Sequence, residues 1–286
     1  MGYPPIPVSQ TTLLRYTVHL ARRLAANIIK KYLNIVRIMH LEYGLTDPLR
    51  DNWVLTSLLK GICRSKGLSV HRKLPITPSL LLAIRNRLNF NNIVDSVFWA
   101  ISLVAFFGFL RKSNLLPPSS ITFNPAKHLC REDLSLFSGG LILHIRWSKT
   151  LQFAERLHQA PLPHLPNHPL CPVWAVVNAF SHTRGAPAAG PAFVLPVKGA
   201  WTPFPPTKFI SLLRSHLQAL GLQARDYSGH SFRRGAASWA LKTGLPGEII
   251  KILGDWKSDA YQNYLSLSHD VKFRSINVFG LSLPST

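Results

Sequence analysis

The chain has 286 residues, 47% of them hydrophobic, which is enough for two modest domains with real cores and too apolar for a disordered chain. Against 12 Asp and Glu stand 33 Lys and Arg, a net charge of +21 with a pI near 10.6, so the partner to expect is a polyanion, although a basic structural protein would share that balance. Cys63, Cys130 and Cys171 are scattered without pairing or CxxC spacing, which argues against structural zinc and a disulfide framework and fits a reducing compartment.

Met1 to Gln10 is a Pro-rich lead-in with no secretory signal. Thr11 to Tyr43 reads as two helices. Leu13, Tyr16, Leu20 and Leu24 keep helical spacing, as do Ile28, Tyr32, Ile35, Val36, Met39 and Tyr43, with Arg15, Arg22, Arg23, Lys30, Lys31 and Arg37 among them. Asn52 to Ser65 is a third helix with Trp53, Leu55, Leu58, Leu59 and Ile62 as its apolar set, closed by Gly67. These elements make a small basic helical bundle, expected as a first domain over residues 1–72. VHRKLPITP, residues 70–78, is the linker candidate.

The second domain, residues 73–286, opens with a helix at Ser79 to Asn89, Pro78 standing near its start. The apolar run Ile93 to Leu110 contains Asp95 and is flanked by loops, so it reads as a buried helix and not a membrane span. Arg111, Lys112, Ser113 and Asn114 follow it. A cation there is commonly only a partner for the helix C-terminus. Ile121 to Thr150 reads as strands turning at Gly139-Gly140; Leu141, Leu143 and Ile145 share one face, His144 and Arg146 the other, and Lys149 follows. Phe153 to Pro172 reads as strand and then Pro-shaped loop. Its interleaved prolines, and the lack of a Cys or carboxylate cluster, argue against a metal site at His158, His164 and His168. A helix at Pro172 to Ser181, a loop, a strand at Phe193 to Val197 and an amphipathic helix at Thr207 to Leu220 lead on. The expected fold class is mainly α with a small antiparallel β-sheet.

Tyr227 to Leu265 carries the chemistry. His230 and Arg233 stand three apart on one face of a helix that runs through Gly235, Ala236, Ala237 and Ala240 and stops at Gly244 and Pro246. A second short helix is expected to bury Ile249, Ile250, Ile252 and Leu253. Trp256 then sits on a turn, and another short helix carries Tyr261 and Tyr264. An imidazole, a guanidinium, an indole N–H and a phenol are the groups needed to grip a phosphate and attack it: the guanidinium binds oxygens bidentately and a tyrosine oxygen can hold phosphorus as an ester.

GHSFRRGAA followed by LGDWKSDAYQNYL resembles the carboxy-terminal motif of the tyrosine recombinases, the phage-integrase superfamily, and its wording is most similar to recombinases of eukaryotic mobile elements of the crypton or DIRS-like kind. GFLRKSNLL resembles the family's first-arginine box, with Asn114 where many members carry an acid. The resemblance implies a helical core-binding domain, possibly truncated, ahead of a catalytic domain, the two clamping duplex DNA. It implies Tyr264 as nucleophile, with Tyr261 its rival. Arg111 and Arg233 hold the phosphate, helped by Trp256. His230 assists proton transfer, and Lys149, with Arg146 as runner-up, protonates the leaving 5′ oxygen. The implied partners are double-stranded DNA and three further protomers in a synaptic homotetramer, with no metal, no cofactor and no membrane. The implied compartment is the nucleus for a eukaryotic source and the cytoplasm otherwise. A catalytically retired DNA-binding protein is the alternative, and Asn114 is the residue that favours it.

Overall fold

The computed structural model describes residues 6–67, 72–119, 121–137, 139–147 and 157–263. The chain falls into two compact units, Met1–His71 and Arg72–Thr286.

The first unit packs α1 (Gln10–Arg23), α2 (Ala26–Glu42) and α3 (Trp53–Lys66) around Leu13, Ile29, Leu33 and Leu55. Local chemistry sets the ends. Ser9 Oγ accepts from the Thr12 N–H ahead of α1, Asn52 Oδ1 accepts from the Leu55 N–H ahead of α3, and Gly67 closes α3 at a φ of 71°. His40 is buried but satisfied, its Nδ1 at Val36 O and its Nε2 accepting the Val8 N–H. The Arg37–Asp47 pair at 2.7 Å ties the loop after α2 back onto it and holds the Asp47 carboxyl below its usual pKa.

In the second unit the linker expected over residues 70–78 is docked where it is described. The Leu74 N–H donates to Asp226 O and the Ile76 N–H to Ser231 O. Thr77 Oγ1 then caps α4 (Pro78–Arg85), shorter than the helix expected to Asn89 because Asn86 already serves as its C-cap. The centre of the unit is α5 (Ile93–Phe107), buried from Ser96 to Phe106. A helix apolar on all sides must be surrounded, and α5 is: α7 (Pro172–His182), α9 (His230–Lys242) and two strands pack on it. Its buried serines are satisfied, Ser96 by Phe90 O and Asn178, Ser102 by Phe98 O. Among the described residues no helix is long and apolar enough to cross a membrane.

After α5 comes α6 (Lys112–Leu115), then loop and a 3₁₀ turn at Arg131–Asp133 where strand was expected. The sheet is antiparallel in the order β1 (Leu134–Phe137), β2 (Gly140–Ile145), β3 (His158–Pro163). Leu141, Leu143, Ala160 and Leu162 form its inner face against the core. A separate hairpin joins β4 (Val194–Val197) to β5 (Ala200–Pro203), a strand that composition did not announce. The amphipathic α8 (Pro206–Ala219) buries Phe209, Leu213 and Leu217. Then come α9, the short α10 (Gly247–Leu253) and a 3₁₀ turn at Asp259–Asn263. The expectation for α10 is corrected: only Ile250 is fully buried, while Ile249 and Ile252 are 44% and 68% exposed. All four apolar residues cannot face one way in seven, and the side turned to α9 belongs to Ile250. The fold is mostly helical with small antiparallel sheets, as expected.

Candidate active site

Arg233 is the hub. The residue is 2% exposed, and two of its five N–H donors go to backbone carbonyls, Nη1 to Phe109 O at 2.5 Å and Nη2 to Gly254 O at 2.6 Å. Both carbonyls belong to helix ends built alike. After α5, Phe109 takes the left-handed conformation (φ 52°), its N–H bonding Phe106 O and the Leu110 N–H bonding Ala105 O. After α10, Asp255 does the same (φ 52°), its N–H bonding Ile252 O and the Trp256 N–H bonding Lys251 O. This paired reversal normally wants glycine at the left-handed position. Here a phenylalanine and an aspartate occupy it, and each costs on the order of 1 kcal/mol or more. The strain is offset at Arg233, where the negative ends of two helix dipoles meet one buried cation. From the other side the guanidinium lies 3.8 Å above the Trp256 ring, itself braced edge-on by Phe109 and tilted against Tyr261. Gly254 admits that ring: a Cβ there would fall 1.6 Å from it.

Arg111 reaches the same place from α6, whose N-cap position it occupies. Asn114 does not leave it unsupported, since its Oδ1 accepts the Arg111 backbone N–H at 3.0 Å. Among the described residues the Arg111 guanidinium itself makes no hydrogen bond, in contrast to that of Arg233. Arg111, Arg233, Asn114, Leu110, Ile145, His158, Gly254 and Asp255 line one narrow crevice. His230 opens α9 beside it, with its outer edge exposed. Protein packed around the ring lowers its pKa, and the charges of Arg111, Arg233 and Lys112 push the same way, so the imidazole is neutral at neutral pH.

A larger groove of about 580 Å³ continues from Arg111 past Lys112, Ser113, His128 and Trp147. Another of about 600 Å³ runs from Lys112 along the polar face of α8, past Thr207, Ser211, Arg214 and Gln218. Lys112 stands between them, its stem laid against Gly229, where a Cβ would come within 2.9 Å of it. Arg146, the runner-up for the leaving-group proton, is engaged elsewhere: it pairs with the buried Asp133 at 2.5 Å and donates to Pro125 O. Tyr261 is packed on Trp256, its hydroxyl close over Gly247. Lys149 and Tyr264 lie outside the described residues.

The structure thus brings Arg111, His230, Arg233 and Trp256 together. Sequence reasoning missed His158, which it had placed with the Pro-rich stretch. The alternation HQAPLP, with Ala160 and Leu162 as inner residues, carried the signal that His158 faces inward.

No family model matches the chain. It is 24% identical over 247 residues to an integrase/recombinase XerD homologue of Selenomonas ruminantium, covering 84% of this chain and 68% of that protein. Among solved structures, the Tn1549 transposon integrase in complex with transposon right end DNA is 12% identical with a TM-score of 0.63, over 98% of this chain and 88% of that one. The XerH site-specific recombinase bound to a palindromic difH substrate is 11% identical with a TM-score of 0.61, over 96% and 70%. XerA recombinase is 14% identical with a TM-score of 0.53, over 98% and 95%. The shared fold is that of these integrases and recombinases.

Proposed function

We propose that this chain, folded as a tyrosine recombinase, cleaves and rejoins double-stranded DNA through a 3′-phosphotyrosine. The observation that carries the reading is the meeting of Arg111 and Arg233 in one crevice, with His230 within reach of both charges and Trp256 beneath the second guanidinium. In this reading Tyr264 attacks a backbone phosphate. Arg111 and Arg233 neutralise the non-bridging oxygens, on which charge builds as phosphorus becomes five-coordinate. His230, neutral at neutral pH, accepts the phenolic proton. Lys149 gives a proton to the departing 5′ oxygen, and a 5′ hydroxyl of a partner strand reverses the step. The ester to tyrosine conserves the bond energy between the two transfers, so the resealing step needs no nucleotide. The net charge of +21 supplies sequence-independent affinity.

Trp256 supports this scheme by locating Arg233 through its face, a different part from donating its N–H to the phosphate. The packing of Tyr261 on Trp256 supports Tyr264 as the nucleophile. The wording GDWKSDAYQNY supports a place among eukaryotic mobile-element recombinases, and with it a nuclear site of action and a homotetramer around two duplexes.

Covalent trapping on nicked suicide duplexes tests the function. A denaturant-resistant adduct lost in Tyr264→Phe and kept in Tyr261→Phe is the expected result. Loss only in Tyr261→Phe would move the nucleophile. Binding without any adduct would turn the reading toward a retired recombinase that only binds DNA. Imaging of the tagged chain in eukaryotic cells and crosslinking on paired duplexes check compartment and stoichiometry; exclusion from the nucleus, or crosslinks no larger than a dimer, would remove those two statements.

A further inference from the structure

We propose that His158 is a further catalytic residue, its imidazole donating a hydrogen bond to a non-bridging oxygen of the phosphate that Arg111 and Arg233 hold. The proposal rests on the recombinase reading above.

Position is the first argument. Along β3 the inner residues are His158, Ala160 and Leu162. Ala160 and Leu162 enter the core at 1% and 0% exposure, as an inner strand position requires. His158 stands where that inner face runs past the end of the core. It is paired in register with Ile145, and both residues line the crevice of Arg111 and Arg233. An apolar side chain would continue the pattern at no desolvation cost. His158 instead sets an imidazole, 8% exposed, into the wall of that crevice.

Size is the second. The free space at the centre of the crevice is about 10 Å³, about one water position. A non-bridging phosphate oxygen fits where one water fits, and the walls around it bear two guanidiniums and an imidazole. Hydrogen-bond donors fixed beforehand around an oxygen that gains charge in the transition state are the arrangement that lowers a barrier. His230 is the imidazole of the helix motif and stands at the exposed N-terminus of α9, whereas His158 comes from the sheet and is enclosed. The two therefore have different tasks: proton acceptor at the nucleophile and hydrogen-bond donor at the phosphate.

The test starts from a pool of nicked duplexes randomised across the central segment, from which wild-type protein selects a sequence by covalent adduct. That duplex is then made with an ordinary scissile phosphate and with each of the two methylphosphonate diastereomers, in which one non-bridging oxygen is a methyl group. His158→Phe is expected to slow adduct formation on the phosphate duplex by about 100-fold relative to wild type. On the diastereomer lacking the oxygen that His158 contacts, the ratio of variant to wild type should return to near one; on the other diastereomer the defect should persist. His158→Gln, which keeps an N–H donor, should fall by less than about tenfold, and its adduct rate is the control should His158→Phe fail to fold. Full activity of His158→Phe on the phosphate duplex would overturn the proposal. So would an equal defect of the variants on all three substrates, which is what a structural role predicts. No wild-type adduct from any duplex in the pool would instead overturn the recombinase reading, and His158 with it.

Discussion

Replacing Gly254 by alanine should disable Arg233 without touching it. At a φ of −88° the position is open to any residue, so the requirement for glycine is one of space. The new Cβ would lie 1.6 Å from Cζ3 and 2.1 Å from Cε3 of Trp256, so the ring must retreat by about 2 Å to reach ordinary contact. It is 7% exposed and has nowhere free to go. Overpacking of this kind costs about 1–3 kcal/mol, and separating the ring from a desolvated guanidinium now 3.8 Å away adds about 2 kcal/mol. For a unit of this size a loss of about 3–5 kcal/mol lowers Tm by roughly 6–20 °C. The assay is a double-mutant cycle by urea and thermal unfolding. Trp256→Ala alone should cost about 3–5 kcal/mol through the cavity it opens. With the ring gone, Gly254→Ala should cost under about 1 kcal/mol, leaving a coupling of at least about 2 kcal/mol. Equal costs of Gly254→Ala in the two backgrounds would refute the reasoning, because the ring would then not be what the methyl group meets.

Gly235→Ala should also be severely destabilising, since a Cβ there would fall 1.8 Å from the Ile76 carbonyl oxygen; hydrogen exchange should show the Leu74 and Ile76 amides unprotected, and protection retained would contradict the packing of residues 72–77 on α9. The lowered pKa of His230 means that the unfolded chain takes up its proton first as pH falls. Its contribution is therefore complete above about 6.5 and lost as pH drops below that value through the folded-state pKa. His230→Gln should flatten wild-type stability against pH in that acid window, and identical profiles would count against the charge cluster. Arg146→Leu leaves the Asp133 carboxylate buried without its counter-charge and should cost about 3 kcal/mol in urea unfolding while sparing strand cleavage on suicide duplexes; a cleavage defect at unchanged stability would restore it as a catalytic candidate. Lys112→Met should reduce the slope of log affinity for duplex DNA against log salt by about one, read by fluorescence anisotropy, and an unchanged slope would remove that groove from the DNA-binding surface.

The helices were legible because their signals are local. Asn52 ahead of Trp53, Pro78 at the first position of α4, Gly67 and Gly221 beyond their helices, and the unbroken apolar run of α5 each act within a few residues. The H-x-x-R pair was legible for the same reason. What escaped depends on distant parts of the chain. No local rule puts Phe109 or Asp255 into the left-handed region; a buried cation 124 residues away from Phe109 does so at one of them and 21 residues from Gly254 at the other. Ile249, Ile250 and Ile252 are alike in sequence, and only the approach of α9 separates them. His158 was hidden by its neighbours, because the prolines around it suggest a loop while the strand register turns it inward. The resemblance implies that Arg233 holds the phosphate; its carbonyl partners are backbone atoms, which no side-chain pattern announces.

The two carbonyls on Arg233 also order events during synthesis. Phe109 leaves the ribosome long before Arg233, and Gly254 follows later still. Until Arg233 has emerged the Phe109 carbonyl lacks its cation, and until Gly254 and Trp256 follow the guanidinium lacks its second carbonyl and its ring. Contacts of such long sequence separation close late. The three contacts of Arg233 are therefore complete only once the chain through Trp256 is present. The shape of the crevice thus depends on segments 124 and 21 residues apart in the chain meeting at one buried cation.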